Sequence, residues 1–191
     1  MTKIAIIYFS GYGHTVKQAE AVQRGASSVA HTQVDLLRID AQGDLPDGIL
    51  DSLVEYDAII YGSPTYMGGP AWQFKKFADA TSKHWYNQGL KDKVAAGFTN
   101  SASSNGDKYS TIQYLFTLSQ QQGQIWVGLG QLPANKKSST TSDVNHAGGY
   151  AGALATSPSD ASPDEAPSAG DLRTSEFLGE RVATLSARLA H

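Results

Sequence analysis

Five short stretches of the chain are apolar, and between them the apolar positions recur at helical spacing. Residues 4–9 are an unbroken apolar run, as expected of a strand buried on both faces. Over residues 16–30, Val16, Ala19, Val22 and Ala26 recur at three and four, while Lys17, Gln18, Glu20 and Arg24 face outward; this predicts an amphipathic helix. The same alternation continues with a strand over 33–39, a short helical piece over 49–53 and a strand over 56–62. A helix over 71–83 turns Phe74, Phe77 and Ala78 inward. A strand over 94–100 precedes a helix over 108–122 with Ile112, Leu115, Phe116 and Leu118 as its stripe. A strand over 124–130 and a helix over 172–189, with Phe177, Val182, Leu185 and Leu189, complete the set. Strands alternating with helices predict an α/β domain whose parallel sheet is covered on both faces. Five strands at this spacing fit a doubly wound sheet of order 2-1-3-4-5, with ligands at the carboxyl edge. All 191 residues read as a single domain.

Three polar loops, 10–15, 63–70 and 99–107, fall on that carboxyl edge and are expected to meet in space. The first, Ser10-Gly11-Tyr12-Gly13-His14-Thr15, lies between a strand's carboxyl end and a helix's amino end. Backbone N–H groups are unpaired there and the helix dipole is positive. With glycines and hydroxyls, that setting suits a bound phosphate; a plain helix cap built from Ser10 and Thr15 is the alternative. The loop has no Gly-Lys-Ser/Thr and no third glycine three residues on, so neither a Walker loop nor a dinucleotide fingerprint is present. It also has no Lys or Arg. Residues 131–170 lack periodicity. Forty such residues are long for a compact domain and read as functional or disordered, with 156–170, which carries Pro158, Pro163 and Pro167, as an extended surface connector.

Composition narrows the chemistry. There are no cysteines, which excludes disulfides, thiolate catalysis and cysteine-based metal sites. Net charge is −3 and dispersed, with no nucleic-acid patch. No apolar run is long enough to span a membrane, no signal pattern is present, and a soluble cytoplasmic protein is expected. No pair of ligating residues has metal spacing. His31, His84 and His191 read as solvated, and His146 as a loop residue.

Three motifs carry a resemblance over nearly the whole chain. Ser10-Gly11-Tyr12-Gly13-His14-Thr15, then Gly62-Ser63-Pro64-Thr65-Tyr66-Met67-Gly68, then Phe98-Thr99-Asn100-Ser101 with Gly106 resemble the flavodoxin-like NAD(P)H:quinone oxidoreductases known as WrbA-like proteins. More loosely, Gly148-Gly149-Tyr150-Ala151-Gly152-Ala153 is similar to the family's substrate-side loop. The resemblance implies a flavodoxin-like fold and an FMN cofactor. Ser10, Gly13, His14 and Thr15 would then hold its phosphate, with Gly11 and Tyr12 of the same loop also against the cofactor and Tyr12 at the family's nicotinamide-cofactor contact. Pro64, Thr65, Tyr66, Met67 and Gly68 would wrap its ring, and Thr99, Asn100, Ser101, Ala102, Ser103, Ser104 and Asn105 would line its pyrimidine edge and ribityl chain. Tyr12, Tyr66, Trp85 and Tyr150 would border the substrate slot. Gln121-Gln122 stand where the family carries a histidine near the flavin.

The activity so implied is two-electron, ping-pong transfer from NAD(P)H, the co-substrate, through FMN to a quinone or similar small acceptor. The cofactor supplies the redox chemistry and no side chain acts as an obligatory acid or base. A homo-oligomer, tetrameric by resemblance, with the slot at subunit contacts, is also implied. A flavodoxin-type electron carrier without its own NAD(P)H turnover is the alternative, though carriers are usually strongly acidic. A flavin-free regulatory domain is a third class; a response regulator would need an aspartate ending the third strand, where Tyr61-Gly62-Ser63 stand.

Overall fold

The computed structural model describes residues 1–189, so the reading of His191 lies outside the described residues. In chain order the elements are β1 (Thr2–Tyr8), α1 (His14–Ser27), β2 (Thr32–Arg38), α2 (Ile49–Ser52) with a 3-10 turn at Leu53–Glu55, β3 (Ala58–Tyr66), β4 (Gly69–Pro70), α3 (Trp72–Ala80) and α4 (Ser82–Asn87). Then come β5 (Val94–Ser101), α5 (Lys108–Gln121), β6 (Ile125–Trp126), β7 (Ala153–Thr156) and α6 (Ala169–Leu189). The sheet runs β2-β1-β3-β5-β6, parallel along that path, with β7 pairing β5 beyond β6. The four long strands stand in the expected order, and the two-residue β6 with β7 takes the fifth place, consistent with the expected 2-1-3-4-5 order of a doubly wound, flavodoxin-like α/β sheet.

Alternate residues of each central strand serve two cores, as the two-residue period of a strand requires. Ala5, Ile7, Ile59, Tyr61 and Ala95 pack against Phe74 and Phe77 of α3 and Ile112 and Leu115 of α5. Ile4, Ile6, Ile60, Ala96 and Phe98 pack against Ala19 and Val22 of α1 and Leu178 and Val182 of α6.

Four local expectations are corrected. The fifth strand does not run through 124–130. After β6, Val127 still donates to Ala95 O at 2.7 Å, but Leu129 donates to Tyr150 O at 2.8 Å. The chain then leaves the sheet and returns as β7, which pairs the far half of β5, Phe98 with Ala153 through Ser101 with Thr156. The loop 63–70 is mostly strand: β3 continues to Tyr66 and turns back as β4, with Tyr66 opposite Gly69. Met67 and Gly68 take φ of 47° and 80°, the two left-handed residues of the turn that suits a twisted hairpin. The helix over 71–83 is two helices, broken at Thr81, whose hydroxyl donates to Ala78 O at 2.6 Å. That break sets His84 inward: it is buried, with Nε2 at 2.7 Å from Leu50 O, and not solvated.

The fold also makes stability fall at high pH. The Tyr56 hydroxyl donates to Asp35 at 2.9 Å, and burial, then Asp35, push its pKa from 10.0 up to about 12. Burial, then Asp79, push Tyr114 to about 12 as well. A folded-state pKa above the unfolded value stabilises below the unfolded pKa, and that stability is lost as pH rises through the folded one. Urea midpoints should therefore hold to about pH 10 and drop toward pH 12, and Tyr56→Phe should reduce the drop.

Candidate functional site

The carboxyl ends of β1, β3, β5 and β7 open on one rim. Register brings Ser63 and Pro64 of β3 opposite Thr99 and Asn100 of β5. Between them lies a cavity of about 500 Å³, lined by Tyr12, His14, Thr15, Pro64, Thr65, Tyr66, Asn100, Ser101 and Ala102. That size is ordinary for a small-molecule or cofactor site. The three polar loops thus do meet.

The first loop forms an amide cradle. Gly13 has φ 93°, which is left-handed, and leaves α1 without a side-chain cap. Ser10 is buried, and its Oγ accepts from Gly13 N at 3.1 Å. The backbone N–H groups of Tyr12, His14 and Thr15 have no hydrogen-bond partner among the described residues. Unpaired helix-start amides beside a cavity favour an anion. The Tyr66 ring crosses above: a Cβ at Gly11 would lie 2.6 Å from the Tyr66 hydroxyl, and the Tyr12 and Tyr66 rings meet edge-on at 6.2 Å. Burial pushes the Tyr66 phenol above its usual pKa. Met67 and Gly68 form the exposed hairpin tip beside it.

The third loop divides. Asn100, Ser101 and Ala102 face the cavity, whereas Ser103, Ser104 and Asn105 lie on its exposed outer side. The buried Lys108 holds that outer side, with Nζ donating to Ser103 O at 2.6 Å and Ser104 O at 2.9 Å. Burial holds its pKa below the usual lysine value. The Thr99 side chain is not available to a ligand. Its hydroxyl and that of Thr111 sit 2.8 and 2.7 Å from Thr65 Oγ1, a buried threonine cluster that locks β3, β5 and α5 together behind the rim.

Two substrate-slot expectations are not met within this chain. Trp85 lies on α4, where it shares a separate depression with Leu118, Gln121 and Gln122. Helix α3 has carried the chain from the carboxyl rim toward the other edge before α4 begins. Tyr150 is exposed on the excursion between β6 and β7, where its carbonyl holds Leu129, and it does not line the cavity. Tyr12 and Tyr66 are brought together there.

The sequence reading missed a fourth wall. Ser157, Pro158, Ser159 and Ala161 line the cavity, so 156–170 is not merely a surface connector. Asn100 Nδ2 donates to Ser157 Oγ at 2.8 Å, and Ser157 N to Ser101 O at 3.0 Å. Farther on, Lys17 Nζ donates to Asp164 at 2.9 Å, and His14 Nδ1 lies 3.0 Å from Ala166 O. A Cβ at Gly13 would meet the Pro163 ring at 2.6 Å. The segment is therefore a strap laid across the amide cradle. Its only local signal was the alternation of Ala153, Leu154, Ala155 and Thr156.

Among the described residues no group of three or more ligating side chains could hold a metal, and no helix is long and apolar enough to cross a membrane.

Comparison with known proteins gives a consistent set of relatives. A family model described as a flavodoxin domain matches residues 5–132. The chain is 47% identical over 189 residues to a Pseudomonas aeruginosa protein named flavodoxin FldP, covering 99% of each. It is 33% identical over 205 residues to a Chromohalobacter salexigens protein named NAD(P)H dehydrogenase (quinone), covering 100% of each. Among solved structures, it matches the flavodoxin, WrbA-like protein from Agrobacterium tumefaciens at 42% identity and a TM-score of 0.79, covering 98% of this chain and 99% of that one.

Proposed function

The chain belongs to the flavodoxin family, and from that premise we propose that its rim cavity holds FMN and that it passes electrons from NAD(P)H to a quinone. The observation that carries the cofactor is the cradle itself. Three unpartnered amides and the Thr15 side chain border a cavity large enough for an extended ligand, which suits a phosphate held without a cation. Such charge-assisted bonds each contribute roughly 1.5–3 kcal/mol. Pro64, Thr65 and Tyr66 would flank the ring, and Asn100, Ser101, Ala102, Ser157 and Ser159 its polar edge and chain. FMN supplies the redox chemistry when bound; the residues present bind it, orient it and keep water from its buried side.

The quinone reading rests on the mouth. Tyr12 and Tyr66 are an aromatic pair with partial or high exposure, and Met67 beside them is fully exposed. A flat apolar acceptor fits such a wall better than an acidic docking face would. A homo-oligomer, tetrameric by resemblance, would give Trp85 a role, because its depression could border another copy's slot. Light scattering of the FMN-loaded protein tests that. The name of the 47% identical relative favours the second reading, an electron carrier.

One measurement separates the two. Purified protein loaded with FMN is mixed anaerobically with NADH or NADPH. An oxidoreductase bleaches the flavin absorbance within turnover time, and added benzoquinone restores it. A carrier leaves NAD(P)H unoxidised and takes up electrons singly in a reductive titration. A protein that ignores added FMN overturns both readings.

A further inference from the structure

A second groove, of about 370 Å³, lies beside the cradle at the carboxyl ends of β1 and β2, and its walls include Ser10, Gly11, Arg38 and Ile39. The groove and the rim cavity are neighbours through consecutive residues: Ser10 and Gly11 line the groove, Tyr12 lines the cavity, and the Tyr66 hydroxyl sits over Gly11 between them. Arg38 is exposed yet positioned, its Nη2 donating to Ser10 O at 3.2 Å. Among the described residues no carboxylate lies within ion-pair distance of it. The groove's one acid, Asp40, is already engaged, accepting from Gln42 N at 2.9 Å and Asp44 N at 2.8 Å. The groove thus offers a guanidinium that forms no ion pair, with free donors and oriented by a backbone carbonyl, while Asp40 in the same groove turns one oxygen to its own loop's amides.

We propose that this groove takes the phosphorylated adenosine end of the reduced dinucleotide, and that Arg38 grips the 2′-phosphate and so selects NADPH over NADH. The inference rests on the NAD(P)H reading above and adds a specificity-determining residue to it. Because the groove adjoins the Tyr12–Tyr66 mouth through Gly11, a dinucleotide with its nicotinamide at the mouth would meet the groove with its other end. A guanidinium presents paired N–H donors that match a phosphate monoester, and at this exposed site it is not spent on another anion. NADH has only a 2′-hydroxyl to offer it.

The test compares both dinucleotides on the FMN-loaded protein with benzoquinone as acceptor, for wild type, Arg38→Ala and Arg38→Lys. Losing a charge-assisted contact should lower kcat/KM for NADPH by about 10- to 100-fold in Arg38→Ala. The NADH value reads any loss passed to the cradle through the broken Arg38–Ser10 contact, so the proposal is read from the NADPH-to-NADH ratio, which should fall by about 10- to 100-fold. Arg38→Lys should retain part of the NADPH preference. In parallel, calorimetric titration with adenosine 2′,5′-bisphosphate and with 5′-AMP reads the groove without turnover; wild type should bind the bisphosphate more tightly, and Arg38→Ala should bind both alike. An unchanged NADPH-to-NADH ratio in Arg38→Ala, or equal binding of the two nucleotides by wild type, overturns the proposal. If neither dinucleotide is oxidised but the bisphosphate still binds through Arg38, the oxidoreductase reading fails and the anion groove stands.

Discussion

Thr15→Asp should leave a folded protein that no longer retains FMN. Thr15 is buried in the first turn of α1 and contributes to the cavity wall. A carboxylate there would stand where the phosphate is expected, replacing a hydroxyl donor with a like charge. Two unit charges about 4 Å apart repel by about 4 kcal/mol at the effective dielectric of a near-surface site. The expected loss of affinity is therefore at least about 100-fold. The fold should survive, because α1 has no acid in its first turn and no side-chain cap, and a carboxylate at a helix start adds about 0.3–1 kcal/mol. Quenching of FMN fluorescence gives the affinity, and a thermal melt of the cofactor-free protein gives the stability. Thr15→Val, which removes only the hydroxyl, should cost about tenfold. FMN binding by Thr15→Asp at wild-type strength would remove the cradle from the site.

Gly179→Ala should destabilise the fold by about 3 kcal/mol. Helices α1 and α6 touch backbone to backbone at two glycines. A Cβ at Gly179 would collide with Val22 O and stand 2.9 Å from Ala26 N, and one at Gly25 would collide with Glu176 O. Neither obstacle is a flexible side-chain end. The helices would have to part, loosening Val22, Ala26, Leu178 and Val182 beneath them; overpacking of this kind costs about 1–3 kcal/mol and sometimes more. Helix propensity alone predicts the opposite sign, a gain of about 1 kcal/mol. Urea unfolding of Gly179→Ala therefore decides between the two by sign: a midpoint at or above wild type would show that the helices can separate without penalty.

Both predictions depend on juxtapositions with different visibility in the sequence. The cradle was legible because everything it needs is local. An apolar strand, a loop of Ser10, Gly11, Gly13 and Thr15 and a helical stripe follow one another within thirty residues, and their order alone puts unpaired amides at a strand's end. The contact at Gly179 was not legible. In the sequence it is one glycine among helix formers, and only the approach of α1 shows why no side chain fits there.

The same division runs through the rest of the molecule. Periodicity by itself determined the element types and their buried faces, because the spacing of apolar residues reports directly which side of an element is covered; the sheet order and the meeting of the polar loops followed from the doubly wound arrangement that this alternation fits. Only the tertiary structure decided that Ser157 and Ser159 wall the cavity, that Thr99 turns its hydroxyl to Thr65, that His84 is buried under Leu50, and that Trp85 and Tyr150 stay outside the cavity. Each of those outcomes depends on where a distant segment returns to the sheet or on where a helix breaks. A stretch such as 157–166 has no repeating pattern to mark its buried side; its position is set by partners more than fifty residues away, at Asn100 and at His14 and Lys17 of α1.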